Sequence, residues 1–268
     1  MIRQRVVSAV VIAVLLISTV LWLPAWWSAG VLSAVLAAAA WEWAGFLGTS
    51  RVPQRVVFLL VTALACLLSW QLTASPEGLR RALWLALLFW TVMLLWVFWL
   101  PQHAGRISVF IAGVVALSLA WVTLVRMRVD WHYGHYAVLY ALLIVWLADS
   151  GAYFAGRAWG VRKLAPRVSP GKTWAGFWGG LLACALLGAA GALYAGQPIM
   201  LLVLLTVTVG VYSVVGDLLE SLCKRFAGLK DSGTLIPGHG GVLDRFDSLL
   251  AAAPCLMLGV ELFGQGLR

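Results

Sequence analysis

The strongest constraint on this chain is a series of long apolar runs, each close to the ~20 residues that a helix needs to cross a bilayer. Inside a bilayer the backbone polar groups must bond within the protein, so spanning segments are helices or closed barrels. These runs do not alternate apolar with polar residues, which excludes a barrel. Charged residues make up 11% of the chain, whereas a soluble domain is about one quarter charged. We predict an all-α, polytopic integral membrane protein.

The apolar runs predict about nine transmembrane helices. Their approximate bounds are Val6–Leu23, Ala25–Leu47, Val56–Thr73, Ala82–Leu100, Ile107–Val125, Ala137–Ala155, Trp174–Ala195, Ile199–Gly216 and Leu249–Phe263. The first run follows a basic N-terminus, as in a signal peptide, but Pro24-Ala25-Trp26-Trp27 is a poor cleavage context. We therefore expect the first helix to be retained.

The charge distribution predicts the orientation, because short cytoplasmic loops are enriched in Lys and Arg. With the N-terminus in the cytoplasm, fourteen of the nineteen Lys and Arg residues fall in cytoplasmic segments. We predict residues 1–130 as N-terminal transmembrane helices and residues 131–268 as a C-terminal transmembrane region with large cytoplasmic loops, in one integrated membrane domain. This topology explains the net charge of +9, which is no argument for nucleic acid.

A polar segment, Ser221–Asp247, interrupts the apolar second half and is predicted to be a loop. Its charged residues and its glycine-rich turn are Lys224, Arg225, Lys230, Arg245, Asp231, Asp244, Asp247, His239, Gly240 and Gly241. If the preceding helix continues past Gly216, Asp217, Glu220 and Ser221 lie on one face, which Lys224 extends. Carboxylates that converge from different helices suit Mg²⁺. Cations and close backbone N–H groups suit phosphates, so the segment predicts a site for phosphates and a divalent metal.

A second basic segment, Gly156–Thr173, precedes the seventh run. Lys172 and Thr173 would lie at a helix N-terminus, which favours anions, although a basic loop that follows the positive-inside rule is an alternative. The spacing of a P-loop is absent. Two acids lie within predicted helices. For Asp149 we favour a functional role because an acid at that depth is unfavourable unless paired or hydrated; for Glu42 a salt-bridged structural role is equally plausible.

These residues resemble the signature of the phosphatidate cytidylyltransferases, also called CDP-diacylglycerol synthases. The matching elements are Ser221-x-x-Lys224-Arg225, Lys230-Asp231, His239-Gly240-Gly241-x-x-Asp244-Arg245-Phe246-Asp247, Asp149-Ser150-Gly151-Ala152-Tyr153 and Ser169-Pro170-x-Lys172-Thr173. The resemblance covers the second half well and the first half only as a polytopic helical region. Cys223 and Ala175 depart from the residues usual in the family, with little consequence expected at the packing position Cys223.

The resemblance implies that CTP and phosphatidic acid react to CDP-diacylglycerol and pyrophosphate with Mg²⁺, at the cytoplasmic face of the cell membrane. The region 131–268 would then be catalytic. By this resemblance Asp217 and Asp244 hold Mg²⁺, assisted by Asp247 or Asp231. The residues expected to act in catalysis are Asp217, Asp244, Lys224 and Arg225. Those expected to bind substrate are Lys172, Ser169, Thr173, Ser221, Lys230, His239, Gly240, Gly241, Arg245 and Asp149, of which Asp149 could instead bind a second cation.

Two other functions are considered. A CTP-dependent lipid kinase would use a similar nucleotide and metal site but would release CDP and a phosphorylated alcohol. An ion-coupled transporter would explain the intramembrane acids, but it should show inverted repeats and interrupted helices, and the sequence shows neither. Small-residue stretches such as Gly176–Gly180 allow close helix packing, which is compatible with a homodimer but does not set a subunit count.

Overall fold

The protein is a bundle of long helices with one short β-hairpin. The computed structural model describes residues 2–48, 51–236 and 240–263. The helices are α1 (Ile2–Trp22), α2 (Ala25–Trp43), α3 (Val52–Leu72), α4 (Pro76–Trp99), α5 (Arg106–Asp130), α6 (Gly134–Trp159), α7 (Trp174–Ala195), α8 (Ile199–Phe226) and α9 (Leu243–Phe263). The strands β1 (Lys163–Ala165) and β2 (Ser169–Thr173) connect α6 to α7. The predicted all-α class is confirmed.

The membrane-spanning character of the bundle is also confirmed. In the described part of the chain, eight helices, α2 to α9, are long and apolar enough to cross a bilayer. The first helix contributes a shorter apolar stretch, Val10–Trp22. A ninth crossing and the cytoplasmic location of the N-terminus therefore stay predictions.

The polar segment predicted as a loop is helical at both of its ends. The eighth span was predicted to end at Gly216, yet α8 continues to Phe226, and α9 begins at Leu243, six residues before the predicted Leu249. The connection between them is therefore 227–242. The predicted helix ends were wrong because they were placed where the hydropathy falls. Charged residues remain helical when they form ion pairs along the same helix or with a neighbouring helix.

The β-hairpin was not predicted either. Its strands are antiparallel, with Lys163 opposite Thr173 and Ala165 opposite Ser169. The hydroxyl of Thr173 accepts a hydrogen bond from the Gly176 amide at 3.1 Å and so caps the N-terminus of α7. This cap joins the end of β2 directly to the first turn of α7, and so it holds β2 at one end of the bundle.

The last helix forms the centre of the bundle. α9 packs against α2, α4, α5, α6 and α8 and is buried along most of its length. Gly216 of α8 lies against the backbone of Asp247, where a Cβ atom would collide with the Asp247 carbonyl. Gly180 of α7 similarly lies against the carbonyl of Ala148 in α6. These contacts bring the charged ends of α6, α8 and α9 together with β2. Part of the Gly176–Gly180 stretch is thus used for helix packing inside a single chain.

Candidate active site

A cavity of about 410 Å³ lies between α6, α7, α8 and the hairpin. Asp149 of α6, Lys172 of β2 and Asp217 of α8 face into it. The Lys172 Nζ is 2.6 Å from Asp217 Oδ2. Asp149 also interacts electrostatically with Asp217, Lys172 and Arg245. Two carboxylates and a lysine that lie far apart in the sequence thus share one cavity. Asp149 and Lys172 were predicted from motifs, and Asp217 from its place on a helix face.

The remaining walls of this cavity are small or apolar. Glycines of α6, α7 and α8 line it, together with Phe177, Leu181 and Val214. Arg157, in the last turn of α6, supplies a second cation that the sequence analysis did not single out. A cavity with cations and carboxylates at one place and hydrocarbon elsewhere can accommodate an amphipathic anion better than a fully hydrated one.

A network of ion pairs joins α8 to α9 beside the cavity. The Lys224 Nζ lies 2.6 Å from Glu220 Oε2 and 2.7 Å from Asp244 Oδ1. Asp247, one turn along α9, is buried and interacts electrostatically with Glu220, Asp217 and Asp149. Carboxylates therefore outnumber the lysines here. Buried carboxylates this close together are unfavourable unless a proton or a further cation neutralises part of their charge.

Asp244 has a full set of hydrogen-bond donors within the protein. Its Oδ2 accepts the amides of Ser232 at 3.0 Å and Gly241 at 2.8 Å, while its Oδ1 accepts Lys224. Gly240 has φ of 85°, a backbone region that favours glycine, and a Cβ there would meet Asp244 Oδ2. The sequence analysis expected these glycines to bring N–H groups to a phosphate, whereas the Gly241 amide faces the Asp244 carboxylate.

Glu42 connects the N-terminal helices to this region. Its carboxylate is 3% exposed and accepts the Ser232 hydroxyl at 3.0 Å, the Val242 amide at 3.1 Å and the Leu243 amide at 2.8 Å. It therefore caps the N-terminus of α9, a role that a local side chain usually fills. The carboxylate is satisfied by hydrogen bonds from the α8–α9 connection. Its observed contacts are therefore structural, but the salt bridge expected for a structural role is absent among the described residues.

The other predicted residues fall into three groups. Thr173 lines the cavity and caps α7, and the Ser221 hydroxyl donates to Asp217 Oδ1 at 3.3 Å. The side chains outside the lining of the cavity are those of Ser169, Arg225, Lys230, Asp231 and Arg245. Arg225 lines a different cavity. His239 lies outside the described residues. Contacts of all these residues with a substrate stay predictions.

The donor set limits the kind of metal site that these residues could form. Within residues 2–48, 51–236 and 240–263, no three His, Cys, Asp or Glu side chains are grouped to hold a metal unaided. Mg²⁺ is usually bound by one or two carboxylates, with water and substrate phosphates completing its six oxygens. Asp217, flanked by Asp149 and Asp247, fits a cation that arrives with a phosphate ligand.

Two important residues were missed by reasoning from sequence. Arg157 lines the cavity, and Ser232 bridges Glu42 and Asp244. Glu220 was placed on the helix face that Lys224 extends, and in the structure the two side chains are paired. Ser232 had no comparable signal, because its partners are distant in sequence.

The fold and cavity define a multi-pass membrane protein with a charged site between its helices. The model of the cytidylyltransferase family matches residues 3–263. A phosphatidate cytidylyltransferase of Pseudomonas aeruginosa is 40% identical over 261 residues, covering 95% of each chain. One of Haemophilus influenzae is 38% identical over 287 residues, covering 95% of this chain and 96% of the relative. The chain belongs to the cytidylyltransferase family.

Proposed function

We propose that this membrane enzyme transfers the cytidylyl group of CTP to phosphatidate, giving CDP-diacylglycerol and pyrophosphate. The observation that carries the proposal is the cavity in which Lys172, Asp217 and Asp149 adjoin apolar walls. Over nearly its whole length the chain is similar to proteins named phosphatidate cytidylyltransferase. This similarity supports the choice of CTP and phosphatidate as substrates.

The two sides of the cavity suit the two parts of such a reaction. Lys172 and Arg157 provide cations for phosphate groups, which are recognised by charge-assisted hydrogen bonds. Phe177, Leu181 and Val214 provide surface for the acyl chains of a lipid. The site thus allows a water-soluble polyanion to meet a lipid phosphate without removing the lipid tails from an apolar environment.

The chemistry requires positioning and charge stabilisation more than proton transfer. A phosphate oxygen of phosphatidate attacks the α-phosphorus of CTP, forming one P–O bond while the bond from that phosphorus to the bridging oxygen breaks. The bridging oxygen leaves with pyrophosphate and keeps the electron pair. Because the attacking oxygen is already anionic at neutral pH, no general base is needed. Lys172 and Arg157 would lower the repulsion between the two anions, an electrostatic role typical of phosphoryl-type transfer.

We also propose that Mg²⁺ acts in the reaction, held by Asp217 with Asp149 or Asp247. The bound metal would neutralise phosphate charge as a Lewis acid. For Asp244 we propose a different role from the predicted metal ligand. Its carboxylate already receives Lys224 and two backbone amides, so it would position the α8–α9 connection and Lys224. Asp231 is exposed on that connection, from which it could assist a metal that the nucleotide carries.

The distribution of Lys and Arg supports a location in the cell membrane with the site on the cytoplasmic side. The hairpin that carries Lys172 and the connection 227–242 follow α6 and α8, which the positive-inside rule places at the cytoplasmic face. This is the side from which CTP would be supplied. A homodimer stays a prediction.

The test is product analysis with purified protein. Radiolabelled CTP and phosphatidate are supplied in mixed micelles with and without Mg²⁺, and the lipid and aqueous products are separated. We expect label in a CDP-lipid, one pyrophosphate per turnover and no product after chelation of the metal. Release of CDP together with a phosphorylated alcohol, when diacylglycerol or a polyprenol is supplied, would instead establish the lipid kinase.

A further inference from the structure

A second cavity lies between the turn of the hairpin, the end of α8 and the connection from α4 to α5. Its volume is about 450 Å³. Arg167, in the turn between β1 and β2, forms one wall, and Arg225 and Phe226, at the end of α8, form another. The connection between α4 and α5, including Gln102, completes it. None of these residues lines the cavity that contains Lys172 and Asp217.

The two arginines give this second cavity a net positive charge. Among the ion pairs of the described residues, neither Arg167 nor Arg225 has an acidic partner. Arg225 donates to the Leu229 carbonyl at 3.4 Å, a long contact. A guanidinium group binds phosphate through two parallel hydrogen bonds, and two such groups lining one cavity are suited to one phosphate.

The rest of the cavity indicates a lipid source for that phosphate. Leu222 and Phe226 add apolar surface beside the arginines. Both lie in the last turns of α8, where a membrane-spanning helix reaches the interface. Basic pockets between transmembrane helices at the cytoplasmic side are typical sites for anionic headgroups.

We propose that the second cavity binds the phosphate of an anionic phospholipid that is not the substrate of the reaction. The headgroup phosphate lies between Arg167 and Arg225, and the glycerol and upper acyl carbons lie against Leu222 and Phe226. The hairpin lines the first cavity with Lys172 and the second with Arg167. Helix α8 lines the first cavity with Asp217 and the second with Arg225. An occupied second cavity therefore holds the two elements that also form the ion pair of the first.

Lipid retention by the whole protein tests this directly. Delipidated protein in detergent is titrated with phosphatidylglycerol or, separately, with phosphatidylcholine, and bound lipid is counted by native mass spectrometry. We expect the wild-type protein to bind one phosphatidylglycerol. Arg167→Gln should bind this lipid at least about tenfold more weakly, because one charge-assisted pair is lost. The affinity of Arg167→Lys should be intermediate. Phosphatidylcholine binding should not change. Arg162→Gln is the matched control, since Arg162 is on the same connection, contacts Trp174 and lines neither cavity.

A parallel titration with CTP separates lipid from nucleotide as the source of the phosphate. We expect Arg167→Gln to bind CTP as the wild-type protein does. Weaker CTP binding with unchanged lipid retention would overturn the proposal and assign the second cavity to the nucleotide. Unchanged retention of phosphatidylglycerol in Arg167→Gln, or an equal loss in Arg162→Gln, would also overturn it. These readouts do not use turnover, so they are independent of the proposed reaction.

Discussion

The carboxylate of Glu42 lies 2.8 Å from the amide of Leu243, although 201 residues separate them in the chain. The same carboxylate also binds the Ser232 hydroxyl. Through Ser232 it reaches Asp244, whose carboxylate accepts the Ser232 amide. The N-terminal half thus supports the charged site through one buried acid, without lining the first cavity.

Substitution Glu42→Gln should destabilise the protein and lower its turnover. The amide keeps one acceptor oxygen and places an NH₂ group against the donors Ser232, Val242 and Leu243. Loss of a charge-assisted hydrogen bond costs about 1.5–3 kcal/mol. Thermal unfolding in detergent and the specific activity measure the two effects.

Glu77→Gln is the matched control for Glu42→Gln. The Glu77 side chain is 74% exposed and pairs with Arg81 on the surface of α4, an interaction worth about 0–1 kcal/mol. We expect near-wild-type stability and activity for the control. If both variants behaved alike, the cap on α9 would have no particular importance.

Substitution Gly240→Ala should reduce activity by disturbing Asp244. The alanine would meet both the left-handed backbone at φ 85° and the Asp244 carboxylate. The backbone effect alone costs about 1–2 kcal/mol. Gly228→Ala serves as the comparison, since Gly228 has φ of 69° and open space where a Cβ atom would lie. Equal losses of stability and turnover in the two variants would exclude a specific effect at Asp244.

Lys172→Met and Asp217→Asn should each lower kcat/KM for CTP by about 100-fold or more, the scale for removing a group that stabilises transition-state charge. Because the two side chains form one ion pair, the double variant should lose less than the product of the single losses. Initial rates in mixed micelles measure these values. Lys163→Met, on the paired strand opposite Thr173, should remain close to wild type. A loss of less than about threefold in Lys172→Met would contradict a direct role in charge stabilisation.

Metal titration should distinguish Asp244 from Asp217. Asp244→Asn weakens the contact with Lys224 and the two loop amides, so we expect kcat to fall while the Mg²⁺ concentration for half-maximal rate stays unchanged. For Asp217→Asn we expect that concentration to rise. The opposite pattern would return Asp244 to the metal-ligand role predicted from sequence.

The sequence predicted the class of fold because hydrocarbon leaves few alternatives to the helix. Run length and hydropathy located α2 to α9 within several residues of most of their observed bounds. The C-terminal end of α8 and the start of α9 were wrong, because Lys224 pairs with carboxylates of both helices through contacts that hydropathy does not encode. The hairpin was missed since its strands are three and five residues long.

For the site, the sequence identified most of the charged residues but not their partners. Asp149 and Lys172 were recognised from motifs and Asp217 from its helix face, and the three share the first cavity. The division of labour between Asp217 and Asp244 depends on which donors face each carboxylate. That is a property of the packing between α8, α9 and the 227–242 connection. Glu42 illustrates the limit, because an isolated acid in a helix does not specify which distant amides it will bind.

The ion pair between Lys172 and Asp217 has a consequence for the order in which ligands can bind. A phosphate that draws Lys172 away leaves Asp217 without its counter-ion, and a divalent cation that takes Asp217 leaves Lys172 unmatched. Either exchange alone would leave one charge of a partly buried pair uncompensated. If the phosphate and the cation arrived as one complex, both partners would be exchanged together and the charge would stay balanced. If Lys172 and Asp217 have the proposed roles, the resting pair would thus make nucleotide and metal binding mutually dependent.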